Sequence, residues 1–552
     1  MRVDGVGGRE QQAPAIPPGP PSSRPAASAA TLAKRAVLVA AAAAVLFFCY
    51  WRQSLSAPLS SDGSGNVLQA WDMLHGNLLL HNWWVSDVSF YTTELPQYAL
   101  IEAVLGLGPW VVHVGAAMTY TLLVLLAAAV AKGRATGTAG LARALLAAGL
   151  MLAPQLSATS ILLLSPDHTG TTVPLFVIWL LIDRSERPGW FVPVLTGLLF
   201  AWTMVADSIV LLTGIIPLVL VCLLRARPGR ARGIRAAGRP GGRWYELSLA
   251  AAAAVAGVAG SFAPRIITAL GGFQQSPVGT DTDLGQLQHG SWVTLQAFLE
   301  LFGANVFNTS FFGAHHPIEV VFVALHLAGA ITVICALGVA ARQFLRPGEL
   351  IVPVFAVAIV LNLGAYMIST HAQDLLGARE MAAVLPLGAV LAGRTLGDRV
   401  LAWTRAARTW FVPVLAVITV GYLAAFGYGA AQASVPPSNE PLAAWLMAHR
   451  LSDGLATYWQ ANSTTVDSHH QVLVNAVVID SNGQLVPYQW ETDDADYNPA
   501  LHYANFVVAD GFSALPGLAD AAVRTFGPAA RIYHASGYTI MIWNRNLLTS
   551  LG

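Results

Sequence analysis

The chain has 552 residues, of which 55% are apolar and only 11% charged, with no formal net charge, and its mean hydropathy is +0.56. Such a composition excludes a soluble globular protein and places the chain in a bilayer. The zero net charge hides an asymmetry along the chain, no nucleic-acid signature appears, and Cys49, Cys222 and Cys335 all fall in apolar runs that offer no disulfide framework.

In chain order, residues 1–30 are rich in Pro, Ala, Ser and Gly without periodicity and read as a disordered cytoplasmic tail. The first apolar run, Ala36 to Trp51, follows Lys34 and Arg35. Pro58 directly after Leu55-Ser-Ala is a poor cleavage context, so a retained anchor is expected. A long loop, 52–108, comes next. Runs able to cross about 30 Å of hydrocarbon then lie near 110–131, 144–164, 170–182, 190–206, 208–224 and 247–268. The stretch 190–224 is split at Asp207, because an unbroken span of that length fits no bilayer. A second long loop, 271–317, precedes runs near 318–340, 350–370, 381–393 and 410–430. The expected membrane domain, 31–430, therefore carries about eleven transmembrane helices. Within the two loops, Asn66–Leu74 and Trp292–Phe302 suit helices lying in the interface. The tail, 431–552, alternates helical patterns (Leu442–Leu451, Leu518–Phe526) with strand patterns (Gln471–Asp480, Asn505–Ala509, Tyr538–Trp543), as a small α/β domain does. The expected fold class is thus mostly α, a polytopic helix bundle with a small extracytoplasmic α/β domain at its C-terminal end.

Orientation follows from the basic residues, which gather in cytoplasmic loops. Alternating spans leave seven outside (Arg52, Arg265, Arg379, Arg450, Arg524, Arg531 and Arg545) and 23 of the 30 inside. Without the Asp207 turn every later loop would invert and the bias would vanish. The N-terminus is expected in the cytoplasm and the tail outside, in a bacterial inner (plasma) membrane; the preference for Arg over Lys and the abundance of Ala and Gly suit a high-GC genome. The arginine run 225–243 reads as a topology determinant.

Carboxylates beside spans are costly and gather at the outer ends: Asp62, Asp72, Asp87 and Glu94 in the first loop, Asp167 with His168, Asp207, and Asp374 with Glu380. Chiefly Asp183, Glu186, Glu246, Glu349 and Asp398 lie at inner ends. A lipid phosphate at the outer surface needs a guanidinium, and Arg379 and Arg265 are the candidates. The plainer alternatives are that Arg379 pairs with Asp374 or Glu380, that Arg265 snorkels, and that Asp62-Gly63 forms a turn. Asp281-Thr-Asp283 matches an acidic motif that binds nucleotide-sugar metal ions, but it faces outward, where nucleotide sugars are scarce. Asp493-Asp494-Ala-Asp496 reads as a solvated loop.

Ser60-Ser-Asp-Gly-Ser-Gly-Asn-Val early in a long loop after the first span, followed by Trp83-Trp84 and Tyr91-Thr-Thr-Glu-Leu-Pro before the second, resembles the GT-C-fold glycosyltransferases. These use polyprenyl-phosphate sugars and include protein O-mannosyltransferases and the lipid A aminoarabinose transferase. The likeness covers the layout of the chain to about residue 430. It implies that Asp62 is the catalytic carboxylate that acts as general base or orients the acceptor, the base role being the one expected here, and that the partners are a polyprenyl-phosphate-linked sugar, membrane lipids and a cell-envelope glycan, glycolipid or protein acceptor. Glu94, Asp167, His168, Asp207 and Glu380 would orient sugar or acceptor, or hold a divalent metal ion, while Arg379 and Arg265 take the phosphate. One departure is that Gly63 follows Asp62, where protein mannosyltransferases have an adjacent acidic pair. Gly454-Leu-Ala-Thr-Tyr-Trp, Ala504-Asn-Phe-Val-Val and Tyr538-Thr-Ile-Met-Ile-Trp resemble the outer domain of actinobacterial membrane proteins of this type. Two rivals remain: a transporter or flippase of a lipid-linked saccharide, which should carry ionisable residues near mid-bilayer, and a non-catalytic envelope scaffold.

Overall fold

The computed structural model describes residues 29–164, 168–185, 189–227, 242–276, 282, 284–307, 317–344, 349–509 and 515–551. The chain divides into two compact units, 1–44 and 45–552. The described part of the first is the beginning of a helix that runs Ala29–Ser54; everything below concerns the second.

Each apolar run falls on a helix, but the helices differ in reach. Among the described residues, five are long and apolar enough to cross a membrane: Ala33–Ser54, Trp110–Lys132, Gly242–Ala269, Ile318–Gln343 and Arg408–Ala430. Two more pass only as bent pairs, Gly137–Met151 with Leu156–Leu162 (82°) and Leu375–Met381 with Val384–Ala406 (53°). Phe191–Ala206, Leu211–Arg225, Ile351–Met367 and Thr169–Arg184 are shorter. The chain is a multi-pass membrane protein; among the described residues five helices, or seven counting each bent pair as one span, are long and apolar enough to cross a membrane, where eleven were expected. One physical reason is visible at Pro154, which lacks an N–H and cannot continue the helix ending at Met151. At Asp207 the backbone is extended (φ −157°, ψ 120°) and ends Phe191–Ala206, so the apolar stretch does break there.

Charged residues at one end of the bundle pair off. Arg394 meets Asp183 at 2.8 Å and Glu349 at 2.7 Å, and the buried Arg225 meets Glu246 at 2.9 Å. Arg143 pairs with Asp398. These clamps take in the described acids that were expected at inner ends, and for the buried Asp183 and Glu246 the pairing is what lets a buried charge persist. Glu186 and most of the 225–243 arginine run lie outside the described residues.

The tail holds a six-stranded sheet of order β5-β4-β3-β7-β9-β8. Its strands are β3 (Asp453–Ala456), β4 (Leu473–Ile479), β5 (Leu485–Pro487), β7 (Phe506–Ala509), β8 (Arg531–Ala535) and β9 (Tyr538–Ile542). β3 pairs in parallel with β4 and β7; the outer pairs are antiparallel. Leu455 and Val507 pack on one face, while Ala456, Phe506 and Val508 pack on the other. Burial on both faces explains why β7 is an unbroken apolar run rather than an alternating one. Helices Glu440–Ala448, Tyr458–Asp467 and Leu518–Phe526 complete the domain; β3, β5, β8 and Tyr458–Asp467 are additions to the elements expected.

A second, three-stranded sheet joins distant parts of the chain. β1 (Trp83–Val85) pairs in parallel with β2 (Gln274–Gln275) and antiparallel with β6 (Thr492–Asp493). Both long loops and the tail therefore meet on one strand. Trp83 donates to Asp72 and Trp84 to Asp494, each at 2.9 Å. The Asp493–Asp496 segment is thus a docked strand and turn, not a solvated loop.

Candidate active site

Asp62 lies in the first turn of the helix Ser61–Leu74, not in an isolated Asp-Gly turn. Ser60 caps that helix by accepting from the Gly63 N–H at 3.1 Å, and a carboxylate in the first turn suits the unpaired amides there. The Asp62 side chain is 23% exposed, and its Oδ2 accepts from Arg379 Nη1 at 2.9 Å. Its Oδ1 accepts from the Tyr458 hydroxyl at 2.5 Å, and the same hydroxyl lies 2.8 Å from Oε2 of Glu491. Burial, then the charges of Glu491 and Asp62, holds the Tyr458 phenol well above its ordinary pKa of 10.

Glu491 is buried and sits just before β6 with φ +49°, a left-handed conformation that costs a non-glycine residue energy. Asn462 donates to its carbonyl at 2.9 Å, and Asn66 Nδ2 lies 3.5 Å from its Oε1. Room for it comes from Gly65, where a Cβ would stand 2.2 Å from Oε2. Gly65, inside an amphipathic helix, is the sequence signal for this close approach, whereas a Cβ at Gly63 would meet Leu59 and Val112; Tyr458 and Glu491 themselves carry no such signal.

A second group includes Glu380, which follows Arg379 in the chain. His168 precedes the helix Thr169–Arg184 with φ +54°. Its Nδ1 is 2.7 Å from Asp207 Oδ2 and its Nε2 is 3.1 Å from Glu380 Oε2. Burial opposes the imidazolium, but the two carboxylates and their hydrogen bonds outweigh it and hold the His168 pKa well above 6.5. For Glu380 burial acts upward, yet His168, His371 and Arg379 bring it down to about 2. Asp207 also caps the next segment, accepting from the Ile209 N–H at 2.9 Å.

Glu94 begins the helix Glu94–Leu105 and is 2% exposed. Burial pushes its pKa up to about 8; the Thr93 hydroxyl, which donates to it, pulls the other way, and the Asp207 charge adds to the rise. Gly170 makes space for it, since a Cβ there would lie 2.1 Å from Glu94 Oε1.

The two groups share one short element. In the 3-10 helix Leu375–Met381, capped by Asp374 through the Leu376 and Gly377 amides, Arg379 reaches Asp62 while Glu380 reaches His168. Arg379, Asp62 and Tyr458 border a cavity of about 570 Å³ whose walls are otherwise largely apolar, including Ile161, Leu164, Val477 and Trp490. Such a space suits an amphiphile with an anionic head.

Of the residues expected at a site, the structure brings together Asp62 with Arg379, and His168 with Asp207 and Glu380, with Glu94 against Gly170. Arg265 is exposed on the helix Gly242–Ala269, its guanidinium 5.7 Å from the Phe262 ring centroid, and makes no described contact with the others. Asp167, Asp281 and Asp283 lie outside the described residues. Among the described residues no three His, Cys, Asp or Glu side chains are placed to hold a metal ion.

No family model matches the sequence, and a search of curated proteins gives no match. Solved structures do match in fold. ArnT from Cupriavidus metallidurans in the apo state aligns with a TM-score of 0.52 at 14% identity, over 94% of this chain and 99% of that one. The same protein bound to undecaprenyl phosphate aligns with a TM-score of 0.51 at 13% identity and equal coverage. The fold is ArnT-like, the GT-C architecture, across both the helices and the tail domain.

Proposed function

We propose that this protein is a membrane glycosyltransferase that moves a sugar from a polyprenyl-phosphate donor to a cell-envelope acceptor. The observation that carries this reading is the Asp62–Arg379 pair at the polar edge of a large, mainly apolar cavity. A carboxylate and a guanidinium side by side are the two groups the reaction requires. Asp62 takes the proton of the acceptor hydroxyl as its oxygen bonds to the sugar's anomeric carbon. The bond from that carbon to the phosphate oxygen breaks with its electron pair, and Arg379 receives the departing polyprenyl phosphate. The likeness to a protein crystallised with undecaprenyl phosphate supports the donor class.

His168, Asp207 and Glu380 would hold Arg379 in place, and Glu94, neutral near pH 7, would orient sugar or acceptor hydroxyls. Asp167 is the residue left for such a role in the neighbouring segment. With Arg265 exposed and making no described contact with these residues, the phosphate falls to Arg379. The positive-inside bias supports action on the outer face of the plasma membrane.

The test compares cell-envelope glycans and glycolipids among wild type, a deletion and Asp62→Asn. The deletion and the variant should lose the same glycosylated species. An unchanged glycan profile in the deletion, with failed export of a lipid-linked sugar, would instead establish the transporter.

A further inference from the structure

We propose that Asp62 and Glu491 share one proton through the Tyr458 hydroxyl, so that the two carboxylates carry a single negative charge. The consequence for catalysis rests on the base role assigned to Asp62 above; the proton sharing itself does not.

A phenol has one hydrogen. Tyr458 nevertheless stands within hydrogen-bond distance of two carboxylates, at 2.5 Å from Asp62 and 2.8 Å from Glu491. With both ionised, one of those contacts would press two electron-rich oxygens together with no hydrogen between them, and Glu491, 2% exposed, has no bulk water to relieve it. A proton on one carboxyl satisfies both Tyr458 contacts. In one form Glu491 is the acid and donates to the phenolic oxygen, while the phenol donates to the Asp62 carboxylate. In the other, Asp62 is the acid and the phenol donates to the Glu491 carboxylate. Two hydrogens each move one place between the forms, and Tyr458 is neutral in both.

The surroundings choose between them. Arg379 Nη1, 2.9 Å from Asp62 Oδ2, favours charge on Asp62. Asn66 and Asn462 anchor Glu491, and the missing Cβ at Gly65 lets it reach the phenol. The persistence of a neutral phenol agrees with the upward displacement of its ionisation by burial and both carboxylates. Glu491 is then a positioning residue: it keeps the phenolic hydrogen on Asp62 Oδ1 and leaves Oδ2 as the oxygen that takes the acceptor's proton.

Infrared spectroscopy of the full chain in lipid nanodiscs at neutral pH, in H2O and D2O, reads protonated carboxyl groups without any substrate. Other buried acids contribute, so differences between variants carry the test. Glu491→Gln should remove one protonated-carboxyl band from the wild-type spectrum. Asp62→Asn should remove the same band, because Tyr458 then donates to an ionised Glu491. The double variant should lose no more. An unchanged spectrum in Glu491→Gln would overturn the proposal by showing both groups ionised. A band kept in Asp62→Asn but lost in Glu491→Gln would overturn it by assigning the proton to Glu491 alone. Should Glu491→Gln fail to fold, Asp62→Asn decides by itself, since retention of every band excludes sharing. Glycan changes in cells report only on the glycosyltransferase reading, so the two can fail separately.

Discussion

Gly65 sets the approach of two carboxylates borne by distant parts of the chain. A methyl group there would lie 2.2 Å from Glu491 Oε2 and 2.9 Å from its Cβ, so the side chain could not simply rotate its tip away. Gly65→Ala gains about 0.5–1 kcal/mol of helix propensity but meets an overpacking cost of about 1–3 kcal/mol. The expected outcome is a lower midpoint of thermal unfolding in detergent and loss of transfer activity. Gly364→Ala, with nothing within 4 Å, should leave the midpoint unchanged or higher, and equal effects of the two substitutions would refute the packing account. Asp62 stood out in the sequence because a carboxylate in the Ser60–Val67 motif has a known analogue. Its partner Tyr458 did not, since an aromatic residue at the start of a soluble helix has many ordinary uses.

At the scale of elements, the seven-residue 3-10 helix Leu375–Met381 links the chemistry to the bundle. Its neighbours Arg379 and Glu380 point to different partners, which the alternating faces of so tight a turn permit. Glu94 opens a neighbouring element and gives a pH prediction. Its pKa is about 8 in the folded chain against an ordinary 4.5, so between those values the folded state holds more protons than the unfolded one. Its favourable contribution is complete below about 4.5 and is lost as pH rises through about 8. Relative to Glu94→Gln, the wild type should therefore lose stability between pH 5 and pH 9, by about 4 kcal/mol at most. Unfolding midpoints that ran parallel across that range would show that Glu94 does not bind the proton. This carboxylate was legible as a candidate, but its neutrality was not, because burial is a tertiary property.

For the whole molecule, the expected topology places Thr136 and the tail on opposite sides of the membrane. In a background with Cys49, Cys222 and Cys335 replaced by Ala, a membrane-impermeant maleimide should label Ser481→Cys in intact cells, and Thr136→Cys only after lysis; both positions are exposed. The reverse pattern would invert the orientation and move the site to the cytoplasm. By itself the sequence determined the membrane class, the positions of the apolar helices, the break at Asp207 and the presence of an α/β tail. These follow from local composition and periodicity, because each helix or strand must match its own surroundings. Only the tertiary structure showed that the helices Gly137–Met151 with Leu156–Leu162 and Leu375–Met381 with Val384–Ala406 are bent pairs, of 82° and 53°. It also decided that the tail does more than cover the helices: β6 docks on β1, and Tyr458 and Glu491 close around Asp62. Contacts such as Tyr458 to Asp62, nearly 400 positions apart at |i−j| = 396, depend on chain packing and leave no periodic trace in sequence. Their only local mark is Gly65, on the helix that carries Asp62.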